Sequence, residues 1–207
     1  MKWWKILIIA LLIVGILITA LFLYLPYATF GFSRKIDALE QQLRQELVAT
    51  AESWLGTAEG QPEHEQIIQI YNSHEPLAVD YMVTLEDNWC AAFVSAIAIQ
   101  RELTGIIPTE CGCERQTLLW KDMGRWQETD TYLPLPGDLI YYAWDEEKAF
   151  DDCTGWADHV GIVVGTFGPF IKVIEGNYQD HVGYRIINRW DFQIRGYGLP
   201  DYASITQ

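Results

Sequence analysis

The spacing of apolar and polar positions divides the chain into three stretches. Residues 6–25 form an unbroken apolar run of 20 residues without a charge. At ~1.5 Å per residue such a run spans ~30 Å, the thickness of a bilayer core. Beyond it, Ile36, Leu39, Leu43, Leu47, Ala51 and Trp54 recur at steps of three and four. That period predicts an amphipathic helix with one packing face. Gly56 and Gly60-Gln61-Pro62 break it, and a second helix is expected over residues 63–72. Residues 73–88 read as a long approach to Cys90. Residues 90–103 are apolar nearly all round, which predicts a buried helix ended by Gly105. Residues 111–126 are mixed and partly helical.

After a turn at Pro134 and Pro136-Gly137 the pattern changes to the alternations and short apolar runs of strands. Strands are expected at 138–144, 159–164, 170–175 and 182–187, with a last short one near 195–197. Turn residues separate them at 165–169 and 177–180. Repeats and low-complexity stretches are absent. Helices first and an antiparallel meander afterwards make an α+β layout.

The apolar run gains meaning from its flanks. Trp3 and Trp4 stand at one end and Tyr24 and Tyr27 at the other, as in an interfacial aromatic belt. The exit Leu25-Pro26-Tyr27-Ala28 is a poor cleavage site, so an uncleaved signal anchor is expected. Lys2 and Lys5 lie before the run; Arg34, Lys35 and Arg44 follow it, which leaves the charge bias weak. The short leading tail is assigned to the cytoplasm and the domain to the exterior. The expected organisation is a transmembrane signal anchor over 1–28, a juxtamembrane linker and helix over 29–53, and a catalytic domain over 54–204. The 207 residues suffice for one domain with a core. A net charge of −14 argues against nucleic-acid partners, because phosphate binding rests on Lys and Arg.

The candidate chemistry lies where elements begin and end. Cys90 opens the buried helix, whose N-terminus stabilises a thiolate and presents N–H groups to an oxyanion. His159 opens an apolar strand. Glu175 closes another, with Asn177 two positions on and able to share its face. A thiol nucleophile needs a base, and the base needs a group to orient it. Singly, each residue has a bland account: a buried structural cysteine, a histidine at a strand start, a Glu-Gly-Asn turn with Gly176 allowing tightness. Their order and context make the joint signal.

Trp89-Cys90-Ala91-Ala92-Phe93-Val94-Ser95, Pro136-Gly137-Asp138-Leu139-Ile140, Asp158-His159-Val160-Gly161-Ile162-Val163 and Ile174-Glu175-Gly176-Asn177 resemble the CHAP family, the cysteine- and histidine-dependent amidohydrolases/peptidases of bacterial cell walls. Arg195-Gly196-Tyr197-Gly198-Leu199-Pro200 also looks like that family, and the resemblance covers roughly residues 54–202. It implies a papain-like cysteine-peptidase fold, here preceded by one transmembrane helix. It also implies thiol catalysis on peptidoglycan without a cofactor. Cys90 would be the nucleophile and His159 the base that later protonates the leaving amine. Glu175 would orient the imidazole with help from Asn177, and the backbone N–H of Cys90 would contribute to an oxyanion hole. The expected partners are peptidoglycan as substrate and the membrane through the N-terminal helix. Amidase and endopeptidase action are equally compatible with these residues. An idle wall- or partner-binding domain, and an acyl-enzyme that passes its acyl group to an amine, are the alternatives.

Cys111, Cys113 and Cys153 are compatible with a disulfide, with free thiols or, less readily, with a zinc site. Asp145-Glu146-Glu147 and Asp151-Asp152 lack the spaced ligands of a calcium loop and read as a solvated segment. No metal site is therefore expected. Trp144 and Trp156 flank that segment and suit either a substrate cleft or core packing. His64, His74 and His181 show no partner pattern.

Overall fold

The computed structural model describes residues 37–144 and 153–205. The apolar run at 6–25, the start of the juxtamembrane stretch and the acidic segment at 145–152 lie outside these residues. Helix α1 (Ala38–Glu52) starts where the Asp37 carboxylate accepts the Glu40 N–H at 2.7 Å, an N-cap. It buries Leu47, Val48 and Ala51. Helix α2 (Pro62–Asn72) opens on a proline, whose missing N–H costs nothing in the first turn. Helix α3 (Cys90–Gln100) buries Cys90 through Ala98. A short connection leads to α4 (Cys113–Asp122), and α5 (Tyr202–Ile205) follows the last strand.

Six strands form one antiparallel sheet: β1 (Trp126–Gln127), β2 (Leu139–Tyr142), β3 (His159–Phe167), β4 (Phe170–Tyr178), β5 (His181–Asn188) and β6 (Ile194–Gly198). Their order across the sheet is β1-β6-β2-β3-β4-β5. β2 to β5 are the expected meander. β6 departs from it by returning to lie between β1 and β2, with Tyr141 opposite Gly196 and Trp126 opposite Gly198. At Gly198 an added Cβ would fall 2.4 Å from the Trp120 ring, so a glycine lets α4 lie directly on the last strand.

Helix α3 packs against α2, β3 and β4, which places the helix N-terminus beside the strand that His159 opens. The main core joins Leu47, Ile67, Trp89, Phe93 and Ile97 from the helices to Leu139, Ile162 and Ile174 from the sheet. Helix α1, expected as part of the linker, contributes its buried face to this same core.

The architecture is α+β, but the expectation of a papain-like fold preceded by a transmembrane helix is corrected. The structure is a six-stranded antiparallel sheet with helices, and no helix among the described residues is long and apolar enough to cross a membrane. The longest, α1, has 15 residues. That is about 22 Å, short of a ~30 Å hydrocarbon layer. Its exposed positions include Gln41, Gln42 and Gln45, which suits a domain surface.

Candidate active site

Cys90 is the first residue of α3, and the preceding Trp89 contributes no side-chain cap. The first-turn N–H groups are thus unclaimed by a capping side chain, and the positive end of the helix bears on the sulfur. Trp89 instead packs inward, its ring 4.6 Å from that of the buried His64 and its N–H donating to Glu59 at 3.2 Å. Burial holds His64 towards its neutral form, and its role is core packing behind the nucleophile.

The sheet brings the partners. The His159 Nε2 is 3.0 Å from the Glu175 Oε2. Cys90 and His159 line the same cleft, and each shifts the proton affinity of the other. Glu175 is fully buried, and its second partner is Arg185 of β5, whose Nε donates to both carboxylate oxygens at 2.7 and 2.9 Å. The guanidinium lies 4.6 Å from the ring centres of Trp144 and Tyr178. The strand register explains the contact: Glu175 pairs with Gly183, and Arg185 stands two residues on, on the same face.

The charges settle into an ion pair. A hydrogen bond from Cys113, then the hydrogen bond and charge of His159, hold the Cys90 thiol well below its ordinary value despite burial. Burial disfavours an imidazolium at His159, yet hydrogen bonds to Cys90 and Glu175 and their negative charges outweigh it. The result is a value pushed up to about 10. Burial would raise Glu175, but the hydrogen bonds and charges of His159 and Arg185 keep it below the usual carboxylate range. These shifts favour thiolate, imidazolium and carboxylate as the resting charges of the site.

Cys113 had no assigned place in the sequence. Its Sγ lies 3.5 Å from that of Cys90, at the first turn of α4. The hydrogen bond to Cys90 and burial hold its thiol well above the ordinary value, so it stays protonated and donates. Cys90, Cys111 and Cys113 are unbridged thiols.

A cleft of about 410 Å³ opens on this group, lined by Asn88, Cys90, Trp144, His159, Asn177 and Arg185 among others. Asn177 is at the cleft but off the His159–Glu175 axis: its amide donates to the Asn88 Oδ1 at 3.3 Å. It adopts φ 56° at an irregularity in β4, which continues to Tyr178 instead of ending at Glu175. Gly176 is not a turn residue. A Cβ there would meet Phe93 at 2.5 Å, so the glycine lets β4 close on α3. Glu114 fixes the approach to His159 by accepting the Ala157 N–H at 2.8 Å. Among the described residues no group of three or more His, Cys, Asp or Glu is arranged to hold a metal ion.

Arg185 and Cys113 are the functional neighbours that sequence reasoning missed. A lone arginine set into the apolar run of residues 182–187 was the available signal for the first. For the second there was none beyond the residue type.

No family model matches the chain, and no curated protein matches it. The crystal structure of Ly7917 aligns over 76% of this chain and 62% of its own, at 12% identity and a TM-score of 0.42. The chain thus spans less than two thirds of that protein, and a likeness this loose carries no argument.

Proposed function

We propose that this protein is a cysteine-dependent amidohydrolase that cleaves an amide bond of bacterial peptidoglycan. The observation that carries the reading is the buried His159–Glu175 contact at 3.0 Å, next to a cysteine at a helix N-terminus, on one cleft. The substrate class rests on the CHAP resemblance of the motifs that hold these residues.

The chemistry follows from the resting charges. The Cys90 thiolate attacks the amide carbonyl, and a carbon–sulfur bond forms as the carbonyl oxygen takes the negative charge. First-turn N–H groups of α3, that of Cys90 first, receive this oxyanion. His159 gives its proton to the departing amine, and the carbon–nitrogen bond breaks. The neutral imidazole then takes a proton from water, whose oxygen attacks the thioester and releases the acid. Glu175 keeps the ring oriented throughout, and Arg185 keeps Glu175 anionic. The sugar–peptide amide and an amide within the stem peptide or cross-bridge both present the same carbonyl to the same sulfur.

A digest of bacterial sacculi by the purified full chain, read by mass spectrometry, tests the reading. New amine or muramoyl ends that vanish with Cys90→Ala name the bond cut. Sacculi of several wall types left intact would overturn it.

A further inference from the structure

We propose that Cys90 and Cys113 form a reversible oxidation site, in which a peroxide converts the two thiols into a disulfide that removes the nucleophile. The two sulfurs are 3.5 Å apart, each on the first residue of its helix, and both are free. A disulfide needs ~2.05 Å, so each sulfur would move by less than about 1 Å. Cys90 lines the cleft and Cys113 does not. An oxidant arriving through the cleft therefore meets Cys90, while Cys113 is in contact with the sulfur it would attack. Cys111 takes a contact from the Arg115 guanidinium at 3.4 Å.

The steps balance without a further reactant. The Cys90 thiolate attacks the peroxide, a sulfur–oxygen bond forms and the oxygen–oxygen bond breaks. The hydroxide released takes the His159 proton and leaves as water. The Cys113 sulfur then attacks the sulfenic sulfur. A sulfur–sulfur bond forms, the sulfur–oxygen bond breaks, and the second hydroxide leaves as water with the Cys113 proton. Two equivalents of an external thiol return both cysteines to the reduced form. Without Cys113, the sulfenic acid has no partner in contact and proceeds to the irreversible sulfinic acid.

The hydrolytic reaction gives Cys113 no other task at the substrate, since it does not face the cleft. The site needs only the two thiols; its consequence for catalysis rests on the hydrolase reading above.

The test treats the reduced full chain with hydrogen peroxide, alkylates remaining thiols with iodoacetamide, and maps the digested peptides by mass spectrometry. The expected product joins the Cys90 peptide to the peptide carrying Cys113, and dithiothreitol restores Cys90 alkylation. Because Cys111 lies two residues from Cys113, Cys111→Ser assigns the bond and is expected to keep it. Cys113→Ser, or Cys113→Ala if the serine variant does not fold by circular dichroism, is expected to lose the link and carry sulfinic acid at Cys90. A link lost in Cys111→Ser would overturn the proposal. So would wild-type Cys90 passing to sulfinic acid as it does in Cys113→Ser. Activity on sacculi should fall to background with peroxide and return with dithiothreitol. A linked peptide from a protein that never digests sacculi removes the hydrolase reading and leaves the thiol site standing.

Discussion

Glu175 and Asp138 are both fully buried carboxylates, and each is held by an arginine. Asp138 precedes β2 and receives the Arg44 Nη1 at 2.8 Å, the Tyr132 hydroxyl at 2.6 Å and the Leu135 N–H at 2.8 Å. Arg44 spends its other donors on Glu40 at 2.9 Å and the Pro136 carbonyl at 3.0 Å. Every partner keeps its proton: burial and the Asp138 charge raise Tyr132, and Asp138 outweighs burial to raise Arg44. The network is closed and joins α1 to the sheet. Glu175 differs in one partner. His159 can give up its proton, and beyond it stands a thiol on a cleft. Burial and paired charge are common to both sites, so neither marks function. A titratable link from the buried charge to an open surface does.

The difference is most open to attack at its nucleophile. Cys90→Ala is expected to lower turnover by ~10³-fold or more while the thermal midpoint moves little; a variant that retains activity would dissolve the contrast. Asp138→Ala should do the reverse. It strands part of Arg44 in the interior at about 3 kcal/mol or more of stability, read by denaturant titration. The rate per folded molecule should stay at the wild-type level, and a selective loss of rate would place both carboxylates in one machine.

Glu175→Gln sharpens the contrast through pH. Activity should fall by about 10²-fold, the lower range for losing support of an acid–base group. The sign of the profile follows from the resting charges. As pH falls through the lowered Cys90 value, the thiolate is protonated and kcat/KM drops. As pH rises through about 10, His159 loses the proton that the amine needs, and kcat/KM drops again. The glutamine removes a charge and a hydrogen bond that hold the imidazolium while burial still opposes it, so the alkaline limb should move towards neutrality. Asp138→Asn should leave that limb in place. The smallest effect is expected from Tyr132→Phe, which removes one of two donors to the Asp138 Oδ2. It should cost about 1.5 kcal/mol, the low end for a bond to a charged group, with no change in the pH profile.

Local pattern carried the positions of Cys90, His159 and Glu175 at or near element boundaries, because an apolar helix and short strands announce themselves by period. The same pattern misread Gly176 as a turn residue, since close packing on Phe93 is a tertiary fact. Pro136-Gly137-Asp138 entered through its place in a catalytic motif, yet Asp138 serves Arg44, a partner 94 residues away that spacing does not reveal. Arg185 was hidden because strand register, and not sequence distance, brings it to Glu175. Cys113 meets Cys90 only after two helices have docked. The apolar run at 6–25 is legible in sequence but falls outside the described residues, among which no helix is long and apolar enough to cross a membrane.

The place of β6 between β1 and β2 bears on the order in which the molecule is completed during synthesis. Cys90, His159 and Glu175 all leave the ribosome before residues 194–198 do. The β2–β5 meander can pair without the final strand, but α4 lies on Gly198 through Trp120, and Cys113 rides on α4. The packing of the helix that carries the thiol donating to Cys90 is therefore completed when the last strand slots in. A nascent chain can hold its base and carboxylate in register while the helix bearing the neighbour that lowers the proton affinity of Cys90 most still lacks its support from the last strand.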